Sequence, residues 1–411
     1  MKIAVLHESN LGFFPRFYKS LTEEITENGS EFALFSPNSG LNNKKKLPNQ
    51  IIWGTRINWH VHRILFKLTG RQDCFSHFST IDLLRKLSSY RPDIIHLHVI
   101  LQGHMNLPMF VNYVNKHHIQ VIWTFHDCRA FTGLCPFFDA CQCDKWLSGC
   151  HKCPQLSQYS PSKIDHTSWQ WHYRKKWINQ IEKLQIVTPS NWLTGLVSNS
   201  FLKDFRAMTI YNGIDLKSFS TLSSYSFDDT EKFDGNKIVL GCSICWESRK
   251  GLQSFMELIP MLPMDYKIVL IGKMKPEEKE KCELAGCYVV GLTQSVDELI
   301  AWYQRADVFV NPTIEDNFPT TNLEALAAGT PVVTYRTGGS PEAIDENTGI
   351  VVEKYDIKSL AAAIIKIVEN KERYSSEECK KRSLMFSVDQ FKKYVDLFSD
   401  LYDKNILHQC R

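Results

Sequence analysis

A run of polar residues around position 316 carries the densest set of groups that could do chemistry. Asp316 ends a loop after a short apolar run, and Glu324 follows eight residues later in the first turn of a predicted helix. One carboxylate can accept both hydroxyls of a ribose, and a second can hold a hydroxyl of a hexose. The N–H groups of Thr320, Thr321 and Asn322 are expected to point out of the helix start, where they suit phosphate or sugar oxygens. The run predicts a nucleotide-sugar site.

A simpler interpretation of Glu324 is a helix cap. Thr321-x-x-Glu324 fits a capping box, which needs no ligand. A cap does not require Asp316 eight residues earlier, so the whole run favours the binding site.

Two further loops contain candidate phosphate-binding residues. Arg249 and Lys250 precede Gly251 and a predicted helix, where they would neutralise a diphosphate and help it leave. An exposed basic turn is the alternative. Gly12 follows the first strand, where a backbone must approach a ligand closely, although a turn explains it equally well.

Histidines end two predicted strands. His126 ends one buried strand, and His96 and His98 end the preceding one. A histidine at a strand end is either a structural hydrogen-bonding group or a catalytic group. The loop from Gly338 to Glu342 likewise either lines a nucleotide pocket or forms a simple turn.

Thirteen cysteines are spread unevenly, and five lie between Cys135 and Cys153. Four of these, Cys135, Cys143, Cys150 and Cys153, have spacing that suits a closed tetrahedral zinc site of structural type, with Cys141 extra. Free thiols or a redox-labile disulfide are the alternatives. A nucleic-acid-binding zinc finger is disfavoured because no basic helix accompanies the cysteines.

The stretch from Leu41 to Gln72 is basic and aromatic and contains no acidic residue. It is either a solvated surface over a small apolar face, or a docking site for an anionic membrane leaflet or an acceptor's lipid diphosphate. Its members are Lys44, Lys45, Lys46, Arg56, Arg63, Lys67 and Arg71, with Trp53, Trp59 and Phe66 interleaved.

Short apolar runs alternate with helix-length amphipathic stretches, which predicts an α/β protein with buried parallel sheets. A serine-rich interruption near 216–235 predicts that the 411 residues divide into a first domain at 1–215, with a cysteine-rich insertion at 128–154, and a second domain at 216–387 that carries the predicted nucleotide-sugar site. A last helix at 388–411 could pack on either domain. The expected architecture is two Rossmann-like doubly wound domains facing a central cleft.

Composition excludes several classes. The formal net charge of +3 is small for the length, so nucleic acid is not an expected partner. No apolar run approaches the roughly 18 residues that a membrane span needs. The first residues turn polar too soon for a signal peptide, so a cytoplasmic protein is expected.

The segment from Asn311 to Val333 resembles the signature of family four retaining glycosyltransferases of the GT-B fold, in which two acidic residues are separated by seven. Asp316 and Glu324 occupy the acidic positions. This chain has Asp for the usual Glu, and Asn-Phe-Pro for the usual Gly-Phe-Gly. The similarity extends over nearly the whole chain.

The resemblance implies a UDP- or GDP-sugar donor, retention of configuration, a glycan or polyprenyl-diphosphate-linked acceptor and no catalytic metal. It implies that Arg249 and Lys250 hold the diphosphate, that Glu324 holds the ribose and that His126 contacts the transferring sugar. The other donor contacts it implies are Gly12, Asp316, Asn317, Phe318, Pro319, Thr320 and Thr321.

The cysteine run from Thr132 to Pro154 resembles that of a subgroup of these transferases, and surface polysaccharide assembly fits that subgroup. Comparable basic patches in the family imply a peripheral place at the inner face of the plasma membrane. The alternatives are a nucleotide-sugar epimerase or hydrolase on the same architecture, and a non-catalytic sugar- or zinc-binding protein.

Overall fold

The computed structural model describes residues 1–8, 14–38, 42, 46–99, 103–227 and 233–409. The predicted sites at Gly12, Lys44 and Lys45 lie outside these residues. The chain forms two compact units. The first combines Met1–Tyr211 with Asp389–Arg411, and the second is Asn212–Val388.

The first unit is built on a parallel sheet of seven strands in the order β3-β2-β1-β4-β5-β6-β7. Its central strands are mostly apolar, and nearly all of their residues are buried, as parallel sheets between helical layers require. The strands are β1 (Lys2–Leu6), β2 (Glu31–Pro37), β3 (Gln50–Trp53), β4 (Ile94–Leu97), β5 (Gln120–Thr124), β6 (Leu184–Thr188) and β7 (Ala207–Thr209).

Helices connect these strands and cover the sheet. Those described in the first unit are α1 (Phe14–Glu27), α2 (Arg56–Thr69), α3 (His77–Tyr90), α4 (Leu107–Lys116), α5 (Leu156–Tyr159), α6 (Thr167–Ile178) and α7 (Asn191–Asn199). Between β5 and α5 the chain makes two short 3-10 turns, Arg129–Phe131 and Lys145–Leu147, within the cysteine-rich segment.

The last helix of the chain, α15 (Asp389–Gln409), completes the first unit. Its Phe391 and Tyr394 rings pack edge-on against Phe17 of α1. Phe398 is fully buried and contacts the His96 ring of β4. Burial of each such aromatic side chain is worth about 1.5–3 kcal/mol, which accounts for the return of the chain to this unit.

The second unit repeats the plan with six parallel strands in the order β10-β9-β8-β11-β12-β13. The strands are β8 (Lys237–Cys245), β9 (Tyr266–Lys273), β10 (Tyr288–Gly291), β11 (Val308–Asn311), β12 (Val332–Tyr335) and β13 (Gly349–Val352). The helices are α8 (Leu216–Ser220), α9 (Leu252–Leu258), α10 (Pro276–Ala285), α11 (Val296–Arg305), α12 (Thr320–Ala328), α13 (Ile357–Glu369) and α14 (Ser376–Ser383).

The predicted α/β class with two parallel-sheet domains is confirmed. The described part of the serine-rich stretch contains regular structure that its composition does not indicate, because α8 forms within it and Ser223 Oγ donates to Asp297 Oδ1 at 2.8 Å. Among the described residues, no helix combines the length and the apolar character that crossing a membrane requires.

Candidate functional site

The strand order of the second unit marks where a ligand would bind. The chain runs from β8 outward to β9 and β10, then returns to β11 on the other side of β8. Loops that leave the carboxyl ends of two such strands diverge and open a crevice between them. Arg249 and Lys250 lie in the loop after β8, and Asp316 lies in the loop after β11. The topology therefore brings these sequence-predicted residues to one edge of the sheet.

Contacts join the two loops directly. Lys250 Nζ lies 2.5 Å from Asp316 Oδ2, and Arg249 Nη1 lies 3.7 Å from the same oxygen. Arg249 also donates to the carbonyl of Glu315 at 3.0 Å and pairs with Glu247 at 3.0 Å. The two cations thus share one largely buried carboxylate. Arg249 thus contacts the acidic loop itself.

Two opposing effects set the pKa of Asp316. Burial is the largest single effect and raises it, but Lys250, Arg249 and the N–H of Asn317, which donates to Oδ1 at 2.8 Å, together lower it by more. The net pKa lies below the usual value for aspartate. Asp316 is therefore an ionised acceptor at neutral pH, suited to sugar hydroxyls and unsuited to donating a proton.

Two glycines allow the loops to close on one another. Gly251 has a φ of 76°, and a Cβ at this position would lie 2.1 Å from the carbonyl oxygen of Pro312. Gly338 has a φ of 52°, and its Cβ would lie 2.1 Å from the carbonyl oxygen of Asp316. Because any side chain would push these loops apart, both glycines are required where they stand. The Gly338 turn therefore supports the Asp316 loop from behind.

The start of α12 differs from the capping box that the sequence allowed. The helix begins at Thr320 with Pro319 as its N-cap, and Pro319 makes no side-chain cap hydrogen bond. Thr321 is thus the second helical residue and Glu324 the fifth, so the capping-box alternative is wrong and Glu324 lies beyond the first turn. The N–H of Asn322 donates to the carbonyl of Pro319 at 3.3 Å, so it is used within the turn rather than pointing outward.

Glu324 is buried beside the centre of the second sheet. The Tyr303 hydroxyl, from α11, donates to Glu324 Oε2 at 3.2 Å. Burial, followed by the neighbouring Cys242 and Glu324, raises the pKa of Tyr303, so this hydroxyl keeps its proton and acts as a donor. Sequence reasoning missed Tyr303, whose buried hydroxyl fixes one oxygen of the proposed ribose-binding carboxylate.

The residues between the two carboxylates are held by backbone contacts. Asn212 Nδ2 donates to the carbonyl of Phe318 at 3.2 Å, and the N–H of Gly339 donates to the carbonyl of Asn317 at 2.6 Å. The Phe318 ring is buried 5.6 Å from that of Phe386. This packing fixes the loop that leads into Thr320 and Thr321.

In the first unit, the corresponding edge of the sheet carries histidines. His98 follows β4, and His126 follows β5. His98 Nδ1 lies 2.9 Å from His126 Nε2, and the two rings stack at 5.2 Å. His96 lies one pleat deeper, where its Nε2 is 2.9 Å from Thr124 Oγ1. The structure thus brings together the three histidines that the sequence placed at strand ends.

Burial keeps these histidines neutral. It lowers the pKa of His126 to about 4, with Asp127 opposing the effect, and lowers the pKa of His96 to about 3. Burial, with the neighbouring histidines, lowers the pKa of His98 well below its usual value. A neutral imidazole can donate from one nitrogen and accept at the other, so His126 is prepared to meet a neutral hydroxyl group.

Glu8 also belongs to this region and was missed as a candidate residue. It follows β1, and burial raises the pKa of its carboxyl to about 8, while Arg129 opposes the effect. Among the described residues, its Oε2 atom is buried without a hydrogen-bond partner. The signal was available, because a carboxylate directly after the first strand of a parallel sheet lies at the ligand-binding edge.

A buried ion pair fixes the segment after β5. Arg174 is completely buried, and its Nε and Nη2 atoms lie 2.9 and 2.8 Å from Asp73 Oδ2. Its Nη1 atom donates to the carbonyls of Arg129 and Thr132. Arg174 therefore connects α6 to the loop that follows His126.

The four predicted zinc ligands are neighbours but do not form a metal centre here. Burial raises the pKa of Cys135, and the nearby Cys150, Cys153 and Cys143 add to the effect. The N–H of Gly133 donates to Cys150 Sγ at 3.2 Å. Across the part of the chain that the structure describes, no three His, Cys, Asp or Glu side chains are arranged to hold a metal ion, and the cysteines form no disulfide. Zinc at these four cysteines therefore stays a sequence prediction.

Comparison with known families covers both units. Residues 15–218 match the family model described as Glycosyltransferase Family 4, and residues 236–370 match the model described as Glycosyl transferases group 1. Both units match glycosyltransferases. The catalytic and binding residues proposed above therefore lie in a chain with the sequence character of a transferase.

Relatives with glycosyltransferase names point the same way. The chain is 27% identical over 307 residues to WcaC of Escherichia coli (strain K12), covering 72% of each chain, and the name of WcaC assigns it to colanic acid biosynthesis as a glycosyl transferase. It is 28% identical over 206 residues to the lipopolysaccharide core biosynthesis mannosyltransferase LpsB of Rhizobium meliloti (strain 1021), covering 44% of this chain and 57% of LpsB.

Solved structures share the fold. Sucrose-phosphate synthase from Thermosynechococcus elongatus aligns with a TM-score of 0.68 at 17% identity, covering 98% of this chain and 100% of that one. Anabaena HepE in complex with UDP aligns with a TM-score of 0.69 at 14% identity, covering 97% and 100%. These matches confirm the GT-B fold class predicted from the sequence.

Proposed function

We propose that this protein is a retaining glycosyltransferase that moves a hexose from a UDP- or GDP-sugar to a glycan or polyprenyl-diphosphate-linked acceptor. The observation that carries the proposal is the contact of Lys250 and Arg249 with Asp316 at the crevice of the second sheet. Two cations beside one sugar-binding carboxylate suit a substrate that joins a diphosphate to a sugar.

The second unit binds the donor in this proposal. Lys250 and Arg249 neutralise the charge that develops on the leaving diphosphate, which is the step where fixed positive groups contribute most. Asp316 leaves its ion pair in part to accept sugar hydroxyls, together with Asn317 and the backbone from Phe318 to Thr321. Glu324, oriented by the Tyr303 hydroxyl, accepts the ribose hydroxyls.

The first unit binds the acceptor. His126 is neutral, so it offers a hydrogen bond without a competing charge beside the reacting sugar. The departing phosphate oxygen takes the proton of the acceptor hydroxyl, so no residue has to act as a strong base. Gly12 is proposed to line the donor phosphate.

Polysaccharide assembly is the proposed setting. WcaC and LpsB carry names from colanic acid and lipopolysaccharide biosynthesis, and CapM of Staphylococcus aureus, 27% identical over 167 residues, is named for capsular polysaccharide biosynthesis. Surface glycans of this kind supply the acceptor class.

The test is turnover of a panel of UDP- and GDP-sugars with lipid-linked and free glycan acceptors, followed by determination of the anomeric configuration of the product. We expect acceptor-dependent release of UDP or GDP and a product that keeps the donor configuration. Glu324→Ala is expected to reduce kcat/KM at least 100-fold because the ribose loses its buried partner. Glu283→Ala, at an exposed helical position, serves as the matched control.

Each failure has a distinct meaning. Release of free sugar, or its isomerisation, without an acceptor would identify a hydrolase or epimerase. An inverted product would contradict the proposed mechanism. Binding of nucleotide sugar without turnover over the whole acceptor panel would identify a binding protein instead. Metal analysis of freshly purified protein decides the zinc prediction, which fails below about a tenth of an equivalent.

A further inference from the structure

Helix α2 exposes a continuous apolar stripe to solvent. Ile57, Val61, Ile64 and Leu68 are 73%, 46%, 58% and 63% exposed. Their spacing of three or four residues places them within about 60° of arc on one side of the helix. Isolated exposed apolar residues are ordinary, but four in one stripe on a helix indicate a surface with a partner.

The stripe is not a misplaced core face, because the opposite side of α2 already packs on the first unit. His62 and Phe66 are buried, and Asn58 Nδ2 donates to Ser79 Oγ of α3 at 3.1 Å. The helix ends are also fixed, with Thr55 accepting from the N–H of Asn58 and a left-handed Gly70 after the last turn. Helix α2 is therefore docked with its apolar stripe facing outward.

Cations line one flank of the stripe. Arg56, Arg63 and Lys67 are exposed, and none has a carboxylate partner among the described residues. Arg63 lies 4.7 Å from the centre of the Trp59 ring, which holds its guanidinium at the surface. No acidic residue occurs in α2. On the next helix, Phe78 adds a further ring that is 76% exposed.

We propose that the α2 stripe docks this protein on an anionic lipid bilayer, with the helix lying in the plane of the membrane surface. The stripe would enter the boundary between head groups and acyl chains, while Arg56, Arg63 and Lys67 would contact anionic head groups. Charge decides between the possible occupants. A second copy of the chain docked by the same face would bring like-charged rows together, whereas an anionic bilayer neutralises them.

This surface goes beyond the proposed transfer reaction and does not depend on it. If the acceptor is lipid-linked, which rests on the proposed function, docking would place the enzyme where that acceptor is found. Membrane binding is measured without turnover, so its failure leaves the proposed function untouched, and loss of the proposed function leaves the membrane surface untouched.

The experiment is co-sedimentation of the full chain with vesicles of phosphatidylcholine alone or with about a third phosphatidylglycerol. We expect binding to the anionic vesicles that weakens as salt rises. Arg63→Glu with Lys67→Glu is expected to reduce the partition coefficient at least 25-fold, since each cation contributes roughly fivefold. The control is Lys116→Glu with Lys203→Glu, which makes the same charge change at exposed positions elsewhere in the first unit.

A second set of variants tests the apolar stripe. Ile57→Ser, Ile64→Ser and Leu68→Ser combined are expected to lower binding at least tenfold at unchanged charge. The control is Leu222→Ser, Met264→Ser and Leu284→Ser combined, at positions that are 85%, 97% and 81% exposed in the second unit. All of these side chains are largely exposed, so circular dichroism is expected to show folded variants.

Three results would overturn the proposal. Equal binding to neutral and anionic vesicles would remove the role of charge, and absence of binding to both would remove the membrane. Loss of wild-type self-association in the stripe variants, measured by analytical ultracentrifugation, would assign the stripe to a second copy of the chain.

Discussion

The two units share one type of sheet but differ in the charge of their candidate site residues. Both sheets are parallel and reverse direction beside their first strand, and both carry candidate residues in the loops at that point. In the second unit these residues are charged and paired, as in the Lys250–Asp316 contact. In the first unit they are neutral, because burial suppresses protonation of His98 and His126.

This difference matches the two halves of a transfer reaction. A nucleotide diphosphate carries charge that fixed cations can hold, whereas an acceptor hydroxyl is neutral and is best met by a neutral hydrogen-bonding group. A strand order thus determines where a ligand lies, and the residues after the strands determine which ligand it is. Substitutions in each region, together with pH, test this difference in charge.

The largest expected effect concerns the buried Asp73–Arg174 ion pair of the first unit. Asp73→Ala leaves the Arg174 guanidinium without its carboxylate, and breaking a buried pair in this way costs about 3–5 kcal/mol. We expect a correspondingly lower midpoint in urea unfolding. The double variant Asp73→Ala with Arg174→Leu is expected to recover part of the loss. Equal stability of wild type and Asp73→Ala would show that the pair contributes nothing to this region.

The next effect concerns the charged region. Lys250→Ala removes the cation nearest to Asp316, and loss of one fixed group that stabilises developing charge costs roughly 100- to 1,000-fold in kcat. Steady-state kinetics with the best nucleotide-sugar donor would measure it. Lys279→Ala, on the exposed face of α10, is the control and is expected to keep full activity. Activity within threefold of wild type would separate the ion pair from catalysis.

A third prediction uses pH to separate the two regions. The pKa of His126 is about 4 in the folded protein and near 6.5 when unfolded, so the unfolded state binds more protons between these values. The free energy of unfolding is therefore unaffected by His126 above about pH 6.5 and falls as pH drops toward 4. The expected loss from His126 is about 2 kcal/mol between pH 7 and pH 5.

Urea unfolding at several pH values would measure this slope. His126→Asn is expected to make it shallower, with the part contributed by the buried His96 and His98 remaining, and substitution of the exposed His151 by Gln is the control that leaves it unchanged. Asp316 adds no pH dependence over this range. Its pKa is lowered from 3.8, so the stability that its ionised carboxylate contributes is constant here and is lost only as pH falls below that value. An identical slope in His126→Asn would contradict the assigned burial.

The smallest expected effect concerns His98 as a positioning residue. His98→Phe removes the hydrogen bond to His126 while keeping a ring of similar size, and one such bond is worth about 1 kcal/mol. We expect kcat to fall about fivefold with the KM for the donor unchanged. His98→Asn, which can restore a hydrogen bond, is expected to recover most of the rate. Equal losses in both variants would indicate a packing role only.

Much of the fold could be predicted from the sequence, because buried parallel strands have continuous apolar runs. Such runs occupy Tyr288–Gly291, Val308–Asn311 and Val332–Tyr335, where the structure forms β10, β11 and β12. The strand at Gln50–Trp53 was missed. It is short, lies at the edge of the sheet and follows a lysine run, so its sequence resembles the basic surface around it.

The candidate site could be predicted only in part from the sequence. Sequence pattern identified Arg249, Lys250 and Asp316 but could not pair them, because 66 residues separate Lys250 from Asp316 and only the sheet order joins their loops. Tyr303 carries no sequence signal, since its role follows from the burial of a single hydroxyl beside Glu324.

The return of helix α15 to the first unit has a consequence for synthesis of the protein. Phe17 and His96 obtain their aromatic neighbours Phe391, Tyr394 and Phe398 from the end of the chain. During translation, the unit made first therefore lacks part of its packing until the ribosome has made nearly everything else. A nascent chain that stops before residue 389 would present these uncovered surfaces to chaperones and proteases.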